Sequence, residues 1–113
     1  MRDVLRRLVA GELSEEEALA EIRRVQLDEL MTKLRNEASG CYSWSNGAGD
    51  RYAAHTHNYE KVLYCVEGSI TFVLESEGKQ LELRPGDRMV LPAGTVHSAV
   101  VGGAGCTCIE GHR

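Results

Sequence analysis

Three histidines have the residue type and spacing that indicate metal chemistry in this chain. His55 and His57 stand two positions apart in "HTHNYEK", and side chains two apart on a β-strand project to the same face. Two imidazoles on one face can bind a divalent transition metal in adjacent coordination positions. An H-x-H pair alone is a weak signal. A third imidazole, His97, follows two turn signals, Pro85-Gly86 and Pro92-Ala93-Gly94. These turns fix the start and the end of a strand, and this arrangement can bring His97 beside the pair.

The elements that must position these side chains are short β-strands. After residue 40 the chain contains the runs "KVLYCV", "SITFVL", "KQLELR", "RMVLP" and "TVHSAVV", which are rich in residues that favour strands. Turn signals that contain glycine separate these runs. The stretches "SNGAGDR" and "VGGAG" are predicted to be loops, the second of them before a last strand, "CTCIE". Many short strands at this spacing predict a sandwich or a barrel.

Residues 1–38 predict helices instead, since they carry no proline, a single glycine and many strong helix formers. Ser14 and Glu17 have the spacing of a capping box, which begins a long helix with an apolar stripe. A shorter helix is predicted over residues 2–10. The stripe can pack on the protein's own sheet or form a dimer contact. We therefore divide the chain into an N-terminal α-helical extension, residues 1–40, and a β-barrel domain, residues 41–113.

Two stretches, "GDRYAAHTHNYEKVLYCVEG" and "GDRMVLPAGTVHSAV", resemble the two sequence motifs of the cupin family. The first motif is matched by Gly49, His55, His57 and Gly68, and the second by Gly86, Pro92, Gly94 and His97. The resemblance covers about residues 41–110. It implies a mainly β fold, the cupin-type double-stranded β-helix or jelly-roll-like barrel, with a metal in its mouth and frequently a homodimer. The metal ligands it implies are His55, His57 and His97. The helical extension lies outside it.

The chain departs from the first motif at one position that matters for a metal site. Lys61 stands where the family usually has glutamate, and Glu60 comes one residue early. Strand alternation places Lys61 on the face of the histidines, unless a turn at Asn58-Tyr59 reverses it and brings Glu60 inward. An ammonium beside a divalent ion is repelled, so it needs an anionic ligand or a partner such as Glu60 or Glu110. The alternative is that Lys61 extends to the barrel mouth and has no chemical role.

Other side chains near the histidines are candidates for a substrate pocket or for further ligands. Tyr52 and Tyr59 flank the H-x-H pair, and we group them with Lys61 and Glu60 as candidate pocket residues. Cys65, Cys106 and Cys108 are either small core residues or soft substitutes for the missing carboxylate ligand. No C-x-x-C pair is present, so reduced thiols are expected.

Composition narrows the classes of partner. The formal net charge of −4 argues against a nucleic-acid partner, because binding phosphates needs a basic surface. No apolar run approaches the roughly 18 residues that a membrane span needs. The N-terminus does not have the pattern of a signal peptide. We therefore predict a cytoplasmic location.

These observations leave three hypotheses open, and the first two are metal- or ligand-binding proteins. The first hypothesis is an enzyme that uses one divalent metal (Fe, Mn, Ni, Cu or Zn) for oxygenase-like or isomerase-like chemistry on a small, anionic molecule. The second is a non-catalytic small-molecule or metal-binding sensor whose helices mediate dimerisation. The third is a barrel that has lost its metal and kept the scaffold.

Overall fold

The chain begins with two helices whose boundaries follow the capping signals of the sequence. The computed structural model describes residues 2–113, with α1 at Arg2–Val9 and α2 at Glu15–Arg35. Ser14 caps α2: its Oγ accepts a hydrogen bond from the Glu17 amide at 3.1 Å, and the Glu17 carboxylate accepts one from the Ser14 amide at 3.2 Å. This is the predicted capping box. No helix among the described residues is both long and apolar enough to cross a membrane.

Within residues 2–113, six antiparallel strands follow the helices, and they build two layers. The strands are β1 (Ser39–Asn46), β2 (Arg51–His55), β3 (Lys61–Leu74), β4 (Lys79–Leu83), β5 (Arg88–Leu91) and β6 (His97–His112). One layer has the order β1-β6-β3-β5 and uses the C-terminal half of β6 and the N-terminal half of β3. The other has the order β2-β6-β3-β4 and uses their opposite halves. The fold is therefore mainly β with a helical N-terminus, as predicted.

The two long strands, β3 and β6, replace what the sequence suggested were four short ones. The Glu67-Gly68 signal predicted a turn, but it lies at a register shift inside β3. Gly68 has φ +68°, and a β-carbon there would lie 1.9 Å from the carbonyl oxygen of Gly105, which has φ +76°. Glycine at both positions lets the two strands bend together and pass from one layer to the other. The segment "VGGAG" was predicted to be a loop, but it lies inside β6, where that strand bends together with β3.

Each face of the β1-β6-β3-β5 layer has its own hydrophobic core. The inner core, between the layers, contains Leu63, Cys65, Ile70, Phe72, Leu83, Met89, Leu91, Ala99, Val101, Cys106 and Cys108. The outer core joins α2 to the sheet, with Leu34 fully buried against Val62, Tyr64, Val66 and Ile109. The C-terminal part of the α2 stripe (Leu27, Leu30, Met31 and Leu34) thus packs on the protein's own sheet, whereas Ile22 packs in the cluster with α1 and Leu19 is exposed. The division of the chain at residue 40 stays a prediction.

Candidate metal centre and adjoining cavity

The three histidines reach one place because two strand ends and one turn meet there. His55 is the last residue of β2 and pairs in register with His97, the first residue of β6. His57 lies just beyond β2, and its carbonyl oxygen accepts a hydrogen bond of 2.8 Å from the amide of Gly94. That bond joins the H-x-H segment to the Pro92-Ala93-Gly94 turn. The turn therefore fixes both His57 and the start of the strand that carries His97.

The imidazoles of these residues form a compact group. The ring centroids of His55 and His97 are 4.3 Å apart, those of His55 and His57 are 4.9 Å apart, and those of His57 and His97 are 5.3 Å apart. One ligand nitrogen from each ring lies within 4.8 Å of the other two, so the group could hold one metal ion. His55 is exposed, whereas His97 is only 1% exposed. The group therefore spans from solvent to the barrel interior.

Hydrogen bonds set which nitrogen of each ring is available for a metal. His55 Nδ1 lies 2.7 Å from the carbonyl oxygen of Ala53, and His97 Nδ1 lies 3.0 Å from that of Thr95. A carbonyl only accepts, so both Nδ1 atoms carry the hydrogen and both Nε2 atoms keep a lone pair. The Nε2 atoms of His57 and His97 are buried without a hydrogen-bond partner. Unpaired buried polar atoms are rare, and a metal ligand role explains both.

The surroundings keep two of these imidazoles neutral. Burial lowers the pKa of His57, and the positive charge of Lys61 lowers it further. Burial also lowers the pKa of His97, against the opposing effect of its hydrogen bond to Thr95. Neutral imidazole is the form that binds transition metals, so these two shifts favour metal binding by His57 and His97.

A cavity of about 250 Å³ opens beside the imidazoles. Its walls combine aromatic, apolar and charged side chains with two of the histidines. The residues that line it are Tyr42, Trp44, Tyr52, His55, Lys61, Ile70, Phe72, His97, Ala99 and Glu110.

Lys61 points into this cavity, as strand alternation predicted. Its side chain is 9% exposed, and its Nζ lies 3.3 Å from Oε2 of Glu110, whose side chain is 7% exposed. Glu110 Oε1 also accepts a hydrogen bond of 2.7 Å from Trp44 Nε1. The partner of the lysine is thus Glu110, one of the two carboxylates that the sequence offered.

The other candidate pocket residues divide between the cavity and its surroundings. Tyr52 lines the cavity, and its hydroxyl donates a hydrogen bond to Asn46 Oδ1. Tyr59 stacks against His57 with ring centroids 5.0 Å apart but is not among the lining residues. Glu60 also lies outside the lining and accepts a hydrogen bond from Arg113.

Sequence reasoning placed most aromatic residues in the core or the barrel wall, but it did not assign to the pocket the aromatic wall formed by Tyr42, Trp44 and Phe72. Tyr42 and Trp44 alternate along β1, to which the sequence analysis assigned no strand, and they pair in register with Glu110 and Cys108 of β6. The spacing Y-x-W was a weak signal for two side chains on one face. Phe72 faces the cavity from β3 only because the bend at Gly68 changes which residues point inward.

The sequence pattern and this geometry can be compared with known proteins. A family model described as the cupin domain matches residues 46–109, which is more than half of the chain. The chain belongs to the cupin family. The matched segment begins at the end of β1 and contains all three grouped histidines.

Similar proteins include one curated relative and several solved structures. The chain is 43% identical over 51 residues to quercetin 2,3-dioxygenase of Bacillus subtilis (strain 168), a segment that is 44% of this chain and 14% of that protein. The polyketide cyclase RemF from Streptomyces resistomycificus aligns with a TM-score of 0.59 and 27% identity, over 64% of this chain and 51% of that one. The DMSP lyase DddQ from Ruegeria pomeroyi aligns with a TM-score of 0.60 and 25% identity, over 65% of this chain and 36% of that one. The matched part of this cupin therefore covers between about a seventh and about a half of the length of these relatives.

Three of the four cysteines, Cys65, Cys106 and Cys108, lie in the inner core of the barrel. Cys65 and Cys108 are fully buried and pair in register, and Cys106 is 5% exposed. A hydrogen bond shared with Cys65, together with burial, raises the pKa of Cys108, so it stays a thiol at neutral pH. Among residues 2–113, the group able to share an ion consists of the three histidines and does not include these thiols. Their surroundings are those of small core residues.

Proposed function

We propose that this cupin is a metal-dependent enzyme that binds one divalent transition metal through His55, His57 and His97. The reaction is oxygenase-like or isomerase-like, and the substrate is a small molecule that enters the adjoining cavity. The metal is Fe, Mn, Ni, Cu or Zn.

One observation carries this proposal: two buried Nε2 atoms without partners converge with a third imidazole. A purely structural role for His57 and His97 would satisfy these nitrogens with protein hydrogen bonds, as it does at Nδ1 of His97. Three imidazoles leave further coordination positions of the ion open for a small molecule. A divalent ion held there supplies Lewis acidity and, if it is redox-active, electron transfer.

The chain's own residues would bind, orient and shield the substrate. His55 and Tyr42, both exposed, stand at the entrance, while Phe72 and Trp44 form apolar walls that exclude water. Trp44 also holds the Glu110 carboxylate in place through its indole N–H. The names of the similar proteins, a dioxygenase, a cyclase and a lyase, support a catalytic role without selecting one reaction.

Elemental analysis of protein purified without a nickel column tests the metal site. We expect about one equivalent of a transition metal in the wild type and loss of that metal in the double variant His55→Ala/His57→Ala. The matched control is His112→Ala, because His112 is exposed and lies outside the histidine group. A protein that takes up none of Fe, Mn, Ni, Cu or Zn after reconstitution would refute the proposal.

Oxygen uptake with a panel of small acids and phenols, together with chromatographic detection of isomerised products, then separates an enzyme from a sensor. Turnover that depends on the bound metal supports the enzyme. Stoichiometric metal with ligand binding but no turnover supports the non-catalytic module. A homodimer and a cytoplasmic location stay predictions of the sequence.

A further inference from the structure

Fold stability alone does not explain the buried ion pair in the cavity wall. Lys61 and Glu110 are 3.3 Å apart with side chains 9% and 7% exposed. Taking two charges out of water costs about as much as their attraction returns, so apolar residues of similar size often serve a fold equally well. A charged pair beside the candidate metal centre, facing a cavity, is therefore a candidate for recognition.

We propose that Lys61 and Glu110 together form a recognition point for a small oxyanion that also carries a neighbouring hydroxyl group. This inference rests on the proposed function, since the ligand would occupy the same cavity as the substrate. Lys61 donates to the ionised oxygen, and Glu110 accepts the hydroxyl hydrogen. A 2-hydroxy acid with one flat apolar ring has this chemistry.

The lysine has hydrogen-bonding capacity left over for a ligand. An ammonium has three N–H donors, and among the described residues its one close charged partner is Glu110. The lysine also lines the cavity, so its remaining donors can reach a molecule there. With the pair neutral overall, a divalent ion on the imidazoles adds positive charge that favours an anionic ligand.

The glutamate likewise keeps acceptor capacity. A carboxylate offers about four lone-pair positions. Trp44 Nε1 occupies one at 2.7 Å, and the lysine lies against the other oxygen. Burial, followed by the negative charge of Glu110, raises the pKa of Tyr42 to about 12, so this phenol stays protonated at the entrance. The Tyr42 hydroxyl donates toward Glu110 and takes a further position, which leaves about one lone pair for a ligand hydroxyl. The bond from Trp44 fixes the orientation of the carboxylate.

The shape of the cavity limits the size of the apolar group that the ligand can carry beside its carboxylate and hydroxyl. The rings of Trp44 and Tyr52 pack edge to face with centroids 5.9 Å apart, and Phe72 lines the cavity from the same layer as Tyr52. The volume of about 250 Å³ lies just below the usual range for ligand pockets, which begins at roughly 300 Å³. One ring fits this space better than a fused ring system does.

Calorimetric titration of metal-free protein with two matched acids tests the pair. Mandelate and phenylacetate both carry a carboxylate and one phenyl ring, but only mandelate has the adjacent hydroxyl. We expect wild type to bind mandelate about tenfold more tightly, because a hydrogen bond to a charged acceptor is strong. Trp44 is the chain's one tryptophan, so a saturable change in its fluorescence locates the binding in this cavity.

Two variants should separate the two halves of the recognition point. Glu110→Gln should reduce the preference for mandelate to about twofold or less. It should bind phenylacetate at least as tightly as wild type does, because the negative charge beside Lys61 is removed. Lys61→Met should weaken both acids by about tenfold or more and keep their ratio. The controls Glu77→Gln and Lys79→Met change exposed side chains and should bind as wild type does.

Either single variant leaves a buried charge without its partner and can fail to fold. The double variant Lys61→Met/Glu110→Gln avoids this and should bind both acids weakly, without preference. Equal affinity of wild type for the two acids, no saturable binding of either, or wild-type binding by the double variant would each overturn the inference. Metal content is measured separately, so failure of the metal site and failure of this recognition point are distinguishable.

Discussion

Replacing His57 with leucine is expected to stabilise the metal-free protein and to abolish its stabilisation by metal. Nε2 of His57 is buried without a hydrogen-bond partner. The ring contacts Tyr59, with centroids 5.0 Å apart, and leucine can keep an apolar contact there. The substitution therefore removes a desolvated polar atom and preserves most of the packing.

The size of both effects follows from this geometry. A buried polar atom without a partner costs about 1–3 kcal/mol, so the metal-free variant should gain stability by an amount in this range. Metal at a hundred times its Kd stabilises the wild type by about 2.7 kcal/mol. If loss of one of three ligands weakens the Kd a hundredfold, the same metal concentration stabilises the variant by only about 0.4 kcal/mol.

Urea unfolding, with chelator and then with added metal, measures the two effects in one series. The variant should be the more stable protein in chelator and the less responsive one in metal. His112→Leu is the matched control, because it removes the fourth histidine, which is exposed and outside the group, and should respond to metal as the wild type does. A His57→Leu protein that is destabilised in chelator and still gains the full metal stabilisation would show that His57 is a structural residue and not a ligand.

Two further predictions concern the framework that carries the site. Gly68→Ala should lower the free energy of unfolding by more than about 3 kcal/mol, because its β-carbon would lie 1.9 Å from the carbonyl oxygen of Gly105. Gly78 is also at positive φ but has open space around it, so Gly78→Ala should lower it by only about 1–2 kcal/mol. Similar losses for the two variants in urea unfolding would contradict the clash. Glu37→Gln should destabilise the protein by about 1–3 kcal/mol at pH 7, since hydrogen bonds from Arg88 hold the pKa of Glu37 below its usual 4.5. Because that pKa is lowered in the folded state, the stabilisation by Glu37 is present above about pH 4.5 and disappears as the pH falls further. The unfolding curves of the variant and the wild type should therefore converge in acid. A difference in stability that persists in acid would contradict this role of Glu37.

The parts of this cupin that depend on local chemistry could be predicted from its sequence. The capping box of Ser14 and Glu17, the two turns around "RMVLP" and the inward direction of Lys61 each depend on a few neighbouring residues. The grouping of the three histidines was predicted from the spacing of two motifs.

The parts that were not predicted depend on contacts between distant residues. The bend shared by Gly68 and Gly105 joins residues on two strands, so each glycine alone had the pattern of a turn or loop. The aromatic wall needed the pairing of β1 with β6, which places Trp44 opposite Cys108. No local periodicity contains this information, because register is fixed by the whole sheet.

The pairing of β3 with β6 also explains how this cupin can carry lysine where its family usually has glutamate. Leu63 pairs with Glu110 in register, so Glu110 is the diagonal neighbour of Lys61 on the inner face. A carboxylate is thus still present in the cavity wall, but it is contributed by the neighbouring strand and neutralised by the lysine. Glutamate at position 61 would place two buried carboxylates side by side, and one of them would keep its proton. Lys61 and Glu110 therefore have to be considered as one unit, and restoring the family's glutamate alone would not restore the family's charge at this site.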